Sequence, residues 1–268
     1  MSAFGCCLNA STIRGTPVRR QIEVAAMAGF GAIELWFSDV DAHLAAGGSL
    51  TNLRDALDAM GLEVPTLIYF SGWFDCDDAQ WPQIQEDCAR RMEQAAQLGA
   101  SRLICSPPAG PADLALGAQR YRELLDLGDT IGVAPIFEFL GFVKRYCTID
   151  SALEVLTRAG GGTTVVDPFH LIRGGDTLDS ISHLTGAQIA ISHFNDTVAH
   201  PPPMEQHDGD RVMPGDGCLD LHRYCELLRG TGYRGWLSLE LFRPDLWARD
   251  PLEVAREGRR KMQPFIGG

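Results

Sequence analysis

Four side chains of metal-binding type stand at the ends of four apolar, strand-like runs in this 268-residue sequence. Glu138 lies in Ala134-Pro-Ile-Phe-Glu-Phe139, and Asp167 closes Thr163-Thr-Val-Val-Asp167. His193 closes Gln188-Ile-Ala-Ile-Ser-His193, and Glu240 closes Trp236-Leu-Ser-Leu-Glu240. Three carboxylates and one imidazole suit one divalent cation: Mn²⁺, Zn²⁺, Co²⁺ or Mg²⁺. Taken singly, each could be a helix cap or a surface charge. Three carboxylates brought together without a cation would repel strongly. Their shared placement at strand ends therefore points to a single metal site.

Such a site requires elements that bring distant strand ends together. Strand-like runs alternate with helical patterns along the whole chain. The strands are read at Phe4–Leu8, Ala32–Trp36, Leu62–Tyr69, Arg102–Cys105, Val133–Phe139, Thr163–Asp167, Ile189–Phe194 and Trp236–Glu240. A helix, then glycine, then a short apolar strand recurs at Ala28-Gly-Phe, Met60-Gly-Leu, Leu98-Gly-Ala, Ile131-Gly-Val and Thr231-Gly-Tyr. Parallel strands need such helical crossovers. Eight β-α units in about 250 residues predict a single α/β domain, a (β/α)₈ TIM barrel, whose strand ends meet on one catalytic face. The rival, a doubly wound sheet, would carry a Gly-rich phosphate turn after its first strand; Asn9-Ala-Ser-Thr-Ile13 is not one. A long loop, 196–219, follows the seventh strand. Its length predicts that it covers or builds a site.

The formal charge of −12 argues against a nucleic-acid or anionic-membrane surface. No apolar run reaches membrane-spanning length. The amino terminus lacks a basic segment followed by a long apolar stretch. The eight cysteines form no C-x-x-C pair and mostly sit in apolar runs, which predicts free, buried thiols in a reducing, cytoplasmic setting. A homo-oligomer stays open.

Residues beside the four ligands widen the site. His170, three after Asp167, could coordinate, contact substrate oxygen or cap a helix; substrate contact is the favoured reading. Arg211 in the long loop could bind a substrate hydroxyl or carboxylate, or pair with Asp208 or Asp210. Asn195 and Asp196 are as suited to loop capping as to function. Trp36, Tyr69, Phe70 and Trp73 could wall a sugar-sized pocket or be ordinary core.

Several stretches carry a resemblance: Phe137-Glu-Phe-Leu-Gly141 with Cys147-Thr148, Val166-Asp-Pro-Phe-His170, Asp210-Arg-Val-Met-Pro-Gly-Asp-Gly217 with Asp220, and Leu237-Ser-Leu-Glu-Leu-Phe-Arg-Pro244. The chain resembles the xylose isomerase-like barrel superfamily, in its sugar phosphate isomerase/epimerase branch, and there the inosose (2-keto-myo-inositol) isomerase type. The likeness is strong from about Val133 onward. It implies that Glu138, Asp167, His193 and Glu240 hold the metal, that Glu138 and Glu240 double as acid and base, and that His170 and Arg211 hold substrate oxygens. It departs at Leu8-Asn9-Ala10, where relatives often carry an acidic residue after the Asn, a difference that bears on the substrate. The implied reaction is isomerisation or epimerisation of a keto-sugar or ketocyclitol by proton transfer through an enediolate. A dehydratase or lyase acting on a keto-sugar is the alternative. A nuclease of the endonuclease IV type is a weaker one, since the third and fourth strand ends, Ile68–Ser71 and Cys105–Pro108, carry no His. A sugar-binding barrel without chemistry is the non-enzymatic reading.

Overall fold

The computed structural model describes residues 4–267. Seven parallel strands come first: β1 (Gly5–Asn9), β2 (Ala32–Trp36), β3 (Leu67–Phe70), β4 (Arg102–Cys105), β5 (Ala134–Phe137), β6 (Thr163–Val166) and β7 (Ile189–Phe194). A two-stranded antiparallel ribbon follows, β8 (Asp196–Thr197) on β9 (Arg211–Val212), and then β10 (Trp236–Leu239). β10 pairs with β7 and β1 and closes the barrel in the order β1-β10-β7-β6-β5-β4-β3-β2. The helices are α1 (Val18–Met27), α2 (Phe37–Ala45), α3 (Leu50–Met60), α4 (Trp81–Gln97), α5 (Leu114–Ile131), α6 (Ile149–Ala159), α7 (Pro168–Arg173), α8 (Leu221–Gly230), α9 (Pro244–Trp247) and α10 (Pro251–Ile266). The eight-unit TIM barrel expected from the alternating pattern is the observed fold.

The recurring glycine explains the tight returns. The glycine of each of the five helix-Gly-strand joints has a positive φ, for example 64° at Gly61 and 88° at Gly132. A side chain there would strain the backbone.

Strand pleating sets which residues face the axis. Ile68, Ile104, Ile136, Val165 and Ile191 form one apolar cluster with Trp36 and Trp236 packed against it. The larger cluster lies between the strands and the helices. Side chains two apart on a strand share a face. Ile136 is therefore followed on the same face by Glu138, Val165 by Asp167, and Ile191 by His193. On β10, Trp236 is followed by Ser238 and Glu240. The inner layer thus forms an apolar floor, and the polar residues stand above it at the carboxyl ends of the strands.

Several elements differ from the sequence reading. The third strand begins at Leu67 rather than Leu62. Pro65 lacks a ladder donor, and Glu63 makes only an isolated bridge to Ala32. Helix α2 starts directly after β2, with Trp36 in the capping position and no side-chain cap, so no Ser, Thr, Asn or Asp marks its start. Trp73 is core rather than pocket wall: it is fully buried against Phe74 and Tyr121, at centroid distances of 5.1 and 5.7 Å. All eight cysteines are free, and six are buried. Among the described residues no helix is long and apolar enough to cross a membrane.

The long loop after β7 is anchored by one buried carboxylate. Asp196 Oδ1 accepts from the backbone N–H groups of Thr197 and Leu219, and Oδ2 from those of Gly215 and Gly217. At Gly217 a Cβ would come within 2.2 Å of Asp196 Oδ1, so only glycine permits this approach. Asp196 is therefore a loop organiser. Asp196→Ala would strand these donors, and it is expected to destabilise the fold by about 2–4 kcal/mol, as measured by urea denaturation. A change within 0.5 kcal/mol, roughly that of a neutral surface substitution, would mean that the loop is held by other contacts.

Candidate metal centre

The four strand-end residues come together. His193 Nδ1 lies 3.2 Å from Glu138 Oε1, 3.2 Å from Glu240 Oε2 and 3.9 Å from Asp167 Oδ2. Ligand atoms of Asp167, His193 and Glu240 all lie within 4.8 Å of one another. Glu138 and Glu240 extend their strands by one residue, through backbone bonds from Glu138 N–H to Cys105 O and from Glu240 N–H to Phe194 O. Asp167 also caps α7, with Oδ1 accepting from Phe169 N–H (2.8 Å) and from Asn195 Nδ2 (3.0 Å). The cap and the convergent role therefore coexist in one carboxylate: Oδ1 serves the fold and Oδ2 faces the centre.

Glu34, which the sequence reading left unassigned, lies beneath the imidazole. Its Oε2 is 3.4 Å from His193 Nε2. The Glu34 carboxylate is fixed by Thr66 Oγ1, Ser238 Oγ and Asn9 Nδ2. Asn9 Nδ2 also donates to Glu240 Oε1 at 3.1 Å. A carboxylate behind Nε2 favours a proton on that nitrogen and leaves the Nδ1 lone pair toward the three other carboxylates.

The electrostatics follow from burial and crowding. Burial alone would depress the His193 pKa, but Glu240 and Glu34 beside it outweigh that and raise it well above 6.5. Burial pushes the Glu138 carboxyl up to about 7. For Asp167 burial pulls upward, but the Arg211 guanidinium wins and holds the carboxyl far below the usual range. Burial dominates at His170 and brings it down to about 3, so its ring is neutral.

The donor set fits a divalent ion. Both ring nitrogens of His193 are buried without a hydrogen-bond partner among the described residues. Glu34, Glu138, Asp167 and Glu240 are buried around that one imidazole, and among the described residues Arg211 is the only guanidinium paired to any of them. A doubly charged cation beside Nδ1 would relieve both the unpaired nitrogen and the excess negative charge. Glu138, Asp167, His193 and Glu240 are the residues that could hold it.

Above the centre opens a cavity of about 680 Å³, within the range for small-molecule sites. Glu138, Glu240, His170, Arg211, Trp36 and Tyr69 all line it. Asp167 and His193, each 1 % exposed, lie behind its wall. Trp36 stands edge-on to Tyr69 and to Phe242, both at 5.8 Å. Its indole N–H donates to Asn9 Oδ1 at 2.9 Å.

Arg211 is not a surface ion pair. It is buried, with Nη2 on Asp167 Oδ2 at 2.9 Å and Nη1 on Asp208. It also stacks on Phe169 at 4.4 Å. Gly141 N–H donates to His170 Nδ1 at 3.2 Å, which assigns the proton of the neutral ring to Nε2. That nitrogen meets Arg211 Nη2 at 3.1 Å. Both residues line the cavity wall, where a substrate oxygen would accept from their N–H groups.

A family model described as xylose isomerase-like TIM barrel matches residues 22–265. An inosose isomerase of Bacillus velezensis is 25 % identical over 94 % of both chains. A 3-dehydroshikimate dehydratase of Pseudomonas aeruginosa is 26 % identical over 90 % of this chain and 39 % of its own length. Among solved structures, the IolI protein with a bound zinc atom superposes with a TM-score of 0.90 at 22 % identity, covering 98 % of each chain.

Proposed function

Since the chain belongs to the xylose isomerase-like TIM barrel family, we propose that it is a divalent-metal-dependent isomerase or epimerase of a keto-sugar or ketocyclitol. One observation carries the reading. Of the four convergent residues, the two glutamates alone reach the cavity wall, beside the N–H groups of His170 and Arg211. The wall thus offers two proton carriers, a site for substrate oxygen and aromatic surfaces at Trp36 and Tyr69. The similarity to inosose isomerase and to a zinc-bearing structure supports the same reading.

A divalent ion held by Glu138, Asp167, His193 and Glu240 would supply Lewis acidity toward a ketone oxygen and its neighbouring hydroxyl. His170 Nε2–H and Arg211 hold a further substrate oxygen and fix the carbon skeleton against Trp36. One glutamate takes the proton alpha to the carbonyl. The other returns a proton to the neighbouring carbon or the opposite face. A dehydratase would begin with the same abstraction and diverge when a β-hydroxyl leaves. The dehydratase relative keeps this as the second reading.

Glu34 acts in this scheme by orienting His193. Glu34→Gln removes its charge with little change in shape, and it is expected to weaken divalent-ion affinity about tenfold, measured by competition with a chromogenic chelator. Wild-type affinity would show that packing alone sets the ring.

The reading is tested on a panel of ketoses, ketose phosphates and ketocyclitols, incubated in D₂O with the metal-loaded protein and followed by NMR. Solvent deuterium is expected at the carbon alpha to the carbonyl of at least one member, and the product then separates isomerase from dehydratase. No exchange in any member would reject the reading.

A further inference from the structure

One cation at the cavity has no part in the scheme above. Arg14 lies just after the short helical turn that follows β1, and it lines the same cavity. Its guanidinium carbon sits 5.5 Å from the Trp36 ring centroid and 5.8 Å from that of Trp247. Trp36 is fixed by its bond to Asn9, and Trp247 by an indole N–H bond to Ser11 O at 2.8 Å. The two indoles hold the guanidinium through their faces, which leaves its in-plane N–H donors unused. Among the described residues no carboxylate pairs with Arg14, and no hydrogen bond engages its side chain.

This is unusual for the cavity. Asp75, Glu138, Asp208 and Glu240 are its acidic lining residues. Arg211 is committed to Asp167 and Asp208. In a chain of formal charge −12, the field at such a mouth repels anions. A neutral polyol needs no cation there. An anionic one does, and it needs that cation away from the metal ligands. Arg14 meets this condition: its contacts are to the Trp36 and Trp247 rings, and among the described residues no ion pair joins it to Glu138, Asp167 or Glu240.

We infer that Arg14 is a specificity residue, and that the substrate is a keto-polyol carrying a carboxylate or phosphate at the end remote from the reacting carbons. The inference rests on the isomerase/epimerase reading for the reacting end, but its test does not depend on turnover. A five-carbon alditol, the matching aldonate and the alditol's terminal phosphate monoester have no ketone and do not react. Their binding to the zinc-loaded protein is measured by titration calorimetry for wild type, Arg14→Gln and Arg14→Lys. At least one charged probe is expected to bind wild type about tenfold or more tightly than the alditol. Which charged probe gains identifies carboxylate or phosphate. Arg14→Gln is expected to erase that gain, Arg14→Lys to keep part of it, and added salt to reduce it. Equal binding of neutral and charged probes to wild type would overturn the inference, as would no binding by any probe. A preference that survives Arg14→Gln would place the anion at the metal centre instead, and would also overturn it. Failure of deuterium exchange across the keto-sugar panel would strike the reaction reading alone.

Discussion

Glu138→Gln and Glu240→Gln are each expected to lower turnover by at least about 10², the scale of general acid–base catalysis. The two positions close strands on either side of the centre, β5 and β10, and both carboxylates stand at the cavity wall within 3.2 Å of His193 Nδ1. Glutamine keeps the shape and one ligand oxygen but cannot carry the proton. Each substitution also weakens a donor to the ion, so the metal content of each variant must be measured beside its rate. The informative comparison is at equal metal occupancy. A Gln variant that holds its metal and still exchanges substrate protons at the wild-type rate would remove that glutamate from the proton-transfer pair.

His193→Ala is expected to weaken divalent-ion binding by about 10²-fold or more, because it deletes the only nitrogen donor among four proposed ligands. The pH dependence gives a second readout. The metal-free imidazole is held protonated by its carboxylate neighbours, with its pKa well above 6.5. Metal binding must displace that proton, so wild-type affinity should rise with pH until the folded-state pKa is passed, and binding should release about one proton per ion. The stability of the metal-free protein runs the opposite way. A raised folded-state pKa contributes stability that is fully present below the unfolded value of 6.5 and is lost as pH rises through the folded value. Asp167 has the reverse sign: its depressed pKa contributes stability that is present above 3.8 and is lost as pH falls. Calorimetry in buffers of different ionisation enthalpy reads the released proton directly. Unchanged stoichiometry and affinity in His193→Ala would exclude His193 as a ligand.

The barrel and its four convergent residues were legible because both rest on local periodicity. Apolar residues two positions before Glu138, Asp167 and His193 announce the inward face, and glycines after the helices announce the returns. Glu34 was not legible as a partner of His193. It sits in an ordinary strand, and its fixing contact with Ser238 spans 204 positions. Closure of β1 against β10 is what brings the two together. Helix α2 was hidden because it begins without a capping side chain directly after a strand. Arg211 was placed near the site by its motif. Its burial between Asp167, Asp208 and the Phe169 ring depends on how the long loop folds back around Asp196, which no local pattern encodes. Trp73 and Tyr69 looked alike in sequence. A turn of the chain after β3 sends Trp73 into the core and leaves Tyr69 at the cavity mouth, 48 % exposed.

Metal-dependent chemistry at this centre is read most directly from proton exchange itself. Protein stripped of metal by chelation is titrated with a divalent ion, and deuterium incorporation alpha to the carbonyl of a reactive keto-polyol is followed by NMR. No exchange is expected without the ion, followed by a rise that saturates at one ion per chain and by loss of exchange on renewed chelation. Exchange that persists at full rate in the stripped protein would contradict metal dependence.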